Sequence, residues 1–209
     1  MLEAAAIQGK LPKNNYPASH ILCSGVNTDK PNTMEKLLAV TAIGPDRTGL
    51  VKDLSEAISS SGGSILQSRM TTLGQEFAML VLVTANWHAI TKVEEALAKL
   101  QENVDLTITT RITSEQERAD PAIPYSIDIV SIDQEGIVAR LAAFFAERTI
   151  EIADLHTRQY NAAHTGSAMF SVQLVVNLPA STHLAGLRDE FHEFCEQHNL
   201  DAIIEHIQR

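Results

Sequence analysis

The feature that most constrains this chain is that its second half repeats its first. A shift of 87 positions lays Asp46 on Asp133, Gly49 on Gly136, Leu50 on Ile137, Val51 on Val138, Leu54 on Leu141 and Ile65 on Ile152. Beyond the next turn the shift becomes 93 and lays Phe77 on Phe170. The second copy therefore carries six extra residues (93 − 87) at one place, between Asn161 and Gly166. Insertions are tolerated in surface loops, so a change of offset at a hairpin supports the alignment. A chain of 209 residues built this way holds two small domains rather than one large one.

Hydrophobic periodicity assigns the elements within each copy. Leu37–Ile43 is a short apolar run that fits a buried strand, and Gly44–Gly49 is a turn. Leu50, Val51, Leu54, Ala57 and Ile58 recur at helical spacing, and Ser59–Gly63 ends that helix. Ile65–Thr72 and Phe77–Thr84 read as strands joined by a tight hairpin at Leu73-Gly74-Gln75. Ile90, Val93, Ala96, Leu97 and Leu100 mark a second helix that Trp87 is expected to pack against at its start, and Val104–Ile112 alternates as a half-buried strand. The order β-α-β-β-α-β then recurs from Tyr125 to Ile207. It predicts an α+β protein of two tandem ferredoxin-like βαββαβ domains, each a four-stranded antiparallel sheet with both helices on one face. The expected divisions are an irregular N-terminal extension over 1–35, a first domain over 36–113, a linker over 114–122 and a second domain over 123–209. The extension reads as a tail; a second reading makes Met34 the biological start.

Both copies place Asp-x-x-Gly between the first strand and the first helix. The N–H groups of a helix's first turn have no intrahelical partner and carry the positive end of its dipole, which suits a carboxylate or phosphate. Glycine allows close approach to the backbone. An aspartate in such a turn most often serves as an N-cap; beside a bound α-amino acid it can pair with the ammonium group. Asp46, Gly49 and Leu50 are the primary candidate ligand residues, with Asp133, Gly136 and Ile137 as weaker equivalents.

These residues resemble the ACT domain, a ligand-sensing βαββαβ module, and the resemblance covers Lys36 to Arg209. It is nearest to the glycine cleavage system transcriptional repressor family, in which two ACT domains stand alone. The residues that carry it are Asp46-Arg47-Thr48-Gly49-Leu50, Gly63 to Met70 and Leu73 to Met79, followed by Asp154 to Arg158 and Ala168-Met169-Phe170. ACT domains often place Asn just before the isoleucine that opens the second strand; here Ser64 and Glu151 stand there. Serine keeps a hydrogen-bonding group, whereas Glu151 would repel a carboxylate. Arg47 and Ser64 thereby join the candidate ligand residues. The resemblance implies a glycine-responsive repressor of the glycine cleavage operon that works through a LysR-type DNA-binding activator by protein–protein contact. The alternatives are a regulatory subunit of an enzyme of amino-acid metabolism, and an interaction module that binds no ligand.

Composition narrows the rest. With 16 basic and 26 acidic residues the net charge is 16 − 26 = −10, and no Lys/Arg run marks a phosphate-binding stripe, so direct nucleic-acid binding is not expected. No nucleophile elbow, P-loop, dinucleotide fingerprint or metalloprotease motif occurs, so the chain reads as a non-enzyme without a cofactor. His192, Cys195 and His198 share one helix face; the simpler account puts Cys195 in the apolar stripe of Phe191 and Phe194 with the histidines flanking it. Arg69 and Arg158 on the second strands fit surface ion pairs. Two cysteines, Cys23 and Cys195, form no disulfide framework, and no apolar run spans a bilayer, which together suggest a cytoplasmic protein. Exposed sheet edges suggest pairing between the units or a homodimer.

Overall fold

The computed structural model describes residues 35–115 and 121–207. The irregular extension up to Met34, Cys23 included, lies outside these residues, as does the middle of the expected linker. The chain divides into two units. In the first, β1 (Lys36–Pro45), α1 (Leu50–Ser60), β2 (Ser64–Leu73), β3 (Glu76–Ala85), α2 (Trp87–Asn103) and β4 (Thr107–Thr113) form a sheet of order β2-β3-β1-β4. In the second, β5 (Ala122–Ile132), α3 (Ile137–Glu147), β6 (Glu151–Asn161), β7 (Ala168–Pro179), α4 (Leu184–His198) and β8 (Asp201–His206) form the same sheet, β6-β7-β5-β8. All strand pairs are antiparallel.

The two cores are built from matching positions. Leu38, Val40 and Ala42 of β1 and alternate residues of β3 from Phe77 to Ala85 face Leu50, Leu54 and Ile58 of α1 and Ile90, Val93 and Leu97 of α2. In the second unit Ile127, Ile129, Val172, Leu174 and Val176 face Ile137, Leu141 and Phe145 of α3 and Leu187 and Phe191 of α4. Period-two burial on the central strands and three-to-four spacing on the helices are what one covered face of a sheet requires. The repeat extends to backbone irregularities: the β2–β3 register shifts between Ile65 and Gln67, and the β6–β7 register shifts between Ile152 and Asp154, 87 positions on.

Helix ends repeat too, with one difference in chemistry. Gly63 N–H donates to Ile58 O at 3.0 Å and Ile150 N–H to Phe145 O at 2.9 Å, the long bond of a Schellman ending. The left-handed residue before each is Gly62 in the first unit (φ 86°) and Thr149 in the second (φ 56°). A β-branched residue in that region is strained, so the second unit carries at Thr149 a strain that glycine spares the first.

Two sequence expectations are corrected. Val104 caps α2 rather than opening a strand, and Leu106 is a buried loop residue just ahead of β4. The final alternation was set by a helix terminus and a buried loop, which mimic a strand's period. Trp87 begins α2 but is 57% exposed and packs little, because it lies on the outer side of a first turn that Asn86 caps by accepting from Ala89 N–H at 2.9 Å. Cys195 lies in the second core with His192 exposed beside it. No helix among the described residues is long and apolar enough to cross a membrane.

Candidate functional site

Each candidate turn is held in place from the neighbouring strand. Asp46 N–H donates to Gln75 O at 2.8 Å and Asp133 N–H donates to Ala168 O at 2.9 Å, so both turns are tied to the start of the third strand of their unit. The helix N-cap is the glycine, not the aspartate. Gly49 (φ 100°) and Gly136 (φ 78°) occupy the cap position with no side-chain hydrogen bond to the first turn. The following residues, Leu50 and Ile137, are buried and anchor the helix starts in the cores. The arrangement leaves first-turn N–H groups uncapped by side chains and presents an exposed acid three residues before the cap. An aspartate acting as a plain N-cap would have used its carboxylate there; neither does, and in the first unit it is spare.

The two mouths differ in what surrounds them. In the first unit, Arg47 Nη2 contacts Asp53 Oδ2 at 2.7 Å and Nη1 donates to Thr48 O at 3.3 Å. The guanidinium thus lies across the Gly49 end of the helix, 3.7 Å from where a Cβ on Gly49 would sit. The Asp46 side chain is exposed. In the second unit Asp133 Oδ2 accepts from Gln159 Nε2 at 2.6 Å, and Gln134, the counterpart of Arg47, donates to His198 O at 2.9 Å. The second acid is engaged by its own fold.

Ser64 does not join Asp46. It pairs with Thr84, which pairs with Leu37 at the start of β1, whereas Asp46 follows the end of β1. About nine residues of strand separate those ends, roughly 30 Å at the rise of an extended chain. Glu151 is likewise at the Asn177–Pro124 end of its sheet, away from Asp133, and accepts from Asn177 Nδ2 at 2.9 Å. Within its own unit its charge is therefore set apart from the mouth of α3. The reason is topological: α1 and α3 run back along the sheet, so the strand after each begins at the opposite end of the sheet from the turn before it. Asp46, Arg47, Gly49 and Leu50 are brought together, as are Asp133, Gly136 and Ile137.

The sequence reading missed the position four residues after each cap glycine. Asp53 N–H donates to Gly49 O at 2.9 Å and Arg140 N–H donates to Gly136 O at 3.0 Å, so the two are equivalents of opposite charge. The repeat alignment contained the signal, since 53 + 87 = 140 pairs an acid with a base at equivalent positions. Asp53 lines a groove of about 600 Å³ beside α1, and Arg140 one of about 460 Å³ between α3 and α4.

Comparison with known proteins agrees with this architecture. The ACT domain family matches residues 36–111. The glycine cleavage system transcriptional repressor of Escherichia coli (strain K12) is 31% identical over 169 residues, covering 80% of this chain and 88% of the relative. A crystal structure provisionally assigned as a glycine cleavage system transcriptional repressor superposes with a TM-score of 0.66 at 25% identity, covering 84% of this chain and 99% of that one. An unknown protein from Galdieria sulphuraria superposes with a TM-score of 0.69 at 27% identity, covering 83% and 99%. Two ACT-type units in register and a relative matched along nearly its whole length lead to one assignment: the chain belongs to the glycine cleavage system transcriptional repressor family.

Proposed function

We propose that this protein is a glycine-responsive transcriptional repressor of a glycine cleavage operon, acting by contact with a LysR-type DNA-binding activator rather than by touching DNA. The observation that carries the reading is the first helix mouth: uncapped first-turn N–H groups at Gly49 and a spare Asp46 carboxylate three residues away. The N–H groups suit a ligand carboxylate and Asp46 suits its ammonium, with Arg47 over the same end. A small zwitterion matches both poles. The net charge of −10 supports action through a protein partner, because it opposes association with a polyanion. The second mouth, whose aspartate is engaged by Gln159, is assigned a weaker role. A homodimer is the proposed assembly.

Calorimetric titration with glycine tests the ligand, on the wild-type chain and on Asp46→Ala. Binding to the wild type that weakens at least tenfold in the variant is expected. Unchanged binding in Asp46→Ala removes the mouth from the mechanism. Co-purification with a LysR-type regulator tests the partner; recovery of a metabolic enzyme instead would replace the repressor reading with that of a regulatory subunit.

A further inference from the structure

Among the described residues three buried side-chain polar atoms have no hydrogen-bond partner: Arg140 Nε, Arg140 Nη2 and Ser131 Oγ. All three belong to the second unit, and two are on one guanidinium. Nε and Nη2 are the two nitrogens whose N–H bonds run parallel on the same edge of an arginine, the fork that grips a carboxylate with two hydrogen bonds at once. A buried donor left unmatched is costly, and a charged one more so, so the edge calls for an acceptor.

The surroundings narrow what that acceptor is. Arg140 lines the α3–α4 groove, whose walls include Phe144, Phe194, Glu190 and Glu193. The other arginine there, Arg148, is already committed: its Nε contacts Glu190 at 2.8 Å, its Nη1 donates to Phe144 O at 2.9 Å and its guanidinium lies 3.8 Å from the centre of the Phe144 ring. Arg140 Nη1 sits 3.3 Å from the position of a Cβ on Gly136, beside the positive end of α3. A cation there is disfavoured by the helix dipole and an anion is favoured by both. The glutamates on the walls oppose a multiply charged anion and accept an ammonium group. The first unit has nothing equivalent, since Asp53 stands at that position and is paired with Arg47.

We propose that the second unit binds a small monocarboxylate on the Nε/Nη2 edge of Arg140, turned out of its buried position into the groove between α3 and α4, with the rest of the ligand neutral or cationic. The α-amino acids fall in this class. The site is separate from the Asp46 mouth and does not depend on it. It makes the two units different receptors despite their shared fold.

The test is thermal unfolding of the full chain with added acetate, glycine, glycinamide or citrate at constant ionic strength, repeated on Arg140→Met, Arg140→Lys and Asp46→Ala. Acetate and glycine are expected to raise the Tm of the wild type. Glycinamide, which lacks the carboxylate, and citrate, which carries several, should each do so at least tenfold less effectively. Arg140→Met and Arg140→Lys should lose the acetate response, the second because a lysine keeps the charge but not the fork, while Asp46→Ala keeps it. Without ligand, Arg140→Met should be at least as stable as the wild type. An acetate response absent from the wild type, or equal in Arg140→Met, overturns the proposal. So does a marked fall in Tm of unliganded Arg140→Met, which would mean that the guanidinium is satisfied within the chain.

Discussion

Gly49 and Gly74 both have positive φ, 100° and 65°, and both have room for a methyl group: the nearest atom to a Cβ at Gly49 is Arg47 Nη1 at 3.7 Å, and nothing lies within 4 Å at Gly74. Replacing either with alanine therefore costs backbone strain and almost no steric clash. A left-handed L-residue costs about 1–2 kcal/mol. Gly74 lies within the small left-handed region and should cost about 1 kcal/mol, whereas Gly49 lies beyond its edge and should cost about 2 kcal/mol. For a domain of roughly 60–100 residues that is a loss in Tm of about 5 °C for Gly74→Ala and about 10 °C for Gly49→Ala. The two differ in function. Only at Gly49 does the methyl stand where the proposed ligand carboxylate would meet the first-turn N–H groups. Loss of one hydrogen bond to a charged group is worth about 1.5–3 kcal/mol, so glycine affinity in Gly49→Ala should fall at least about tenfold. Gly74→Ala should leave it unchanged. Differential scanning calorimetry and glycine titration of the same three samples decide the matter. If Gly49→Ala binds glycine like the wild type, the helix mouth is not the site. If it melts like the wild type, the strain argument is wrong.

Three further outcomes follow from the fold. Gly44→Ala would place a Cβ 2.3 Å from Asp105 O, a backbone atom that cannot swing away, so a loss above about 3 kcal/mol is expected in urea unfolding, far beyond the cost at Gly74. Thr149→Gly, which copies the first unit's Gly62, should stabilise the second unit by about 1 kcal/mol in the same assay. Burial, with Asp201 nearby adding to it, pushes the Cys195 thiol up from 9.0 to about 11. The folded chain then holds this proton where the unfolded chain releases it, so this stabilising contribution is complete below about pH 9 and is lost as the pH rises towards 11. Unfolding midpoints of wild type and Cys195→Ala should accordingly converge over that range, and a gap independent of pH would refute the assignment.

Most of the fold was legible in the chain because it rests on short-range periodicity. The spacing of Leu50, Leu54 and Ile58 is enough to define a buried helical stripe, and the alternation from Phe77 to Ala85 defines a covered strand. The alignment offset of 87 carried the α1/α3 limits as well, since Leu50–Ser60 plus 87 gives Ile137–Glu147. The signal failed at Val104, where a helix cap and a buried loop leucine imitate two turns of strand alternation. Ser64 entered through the resemblance rather than through spacing, and the structure sets it apart from Asp46 because an 11-residue helix carries the chain to the far end of the sheet.

The sequence by itself determined the repeat, the element order, the two cores and the glycines at both helix starts, because each is written in local spacing that any fold of this chain must satisfy. Tertiary structure alone decided which polar groups are spoken for. Asp133 is occupied by Gln159, 26 residues away, Gln134 by the carbonyl of His198, 64 residues away, and the Arg140 Nε and Nη2 are left buried without a partner. A hydrogen bond between distant residues depends on where strands and helices bring their ends, and no periodicity along the chain encodes that meeting.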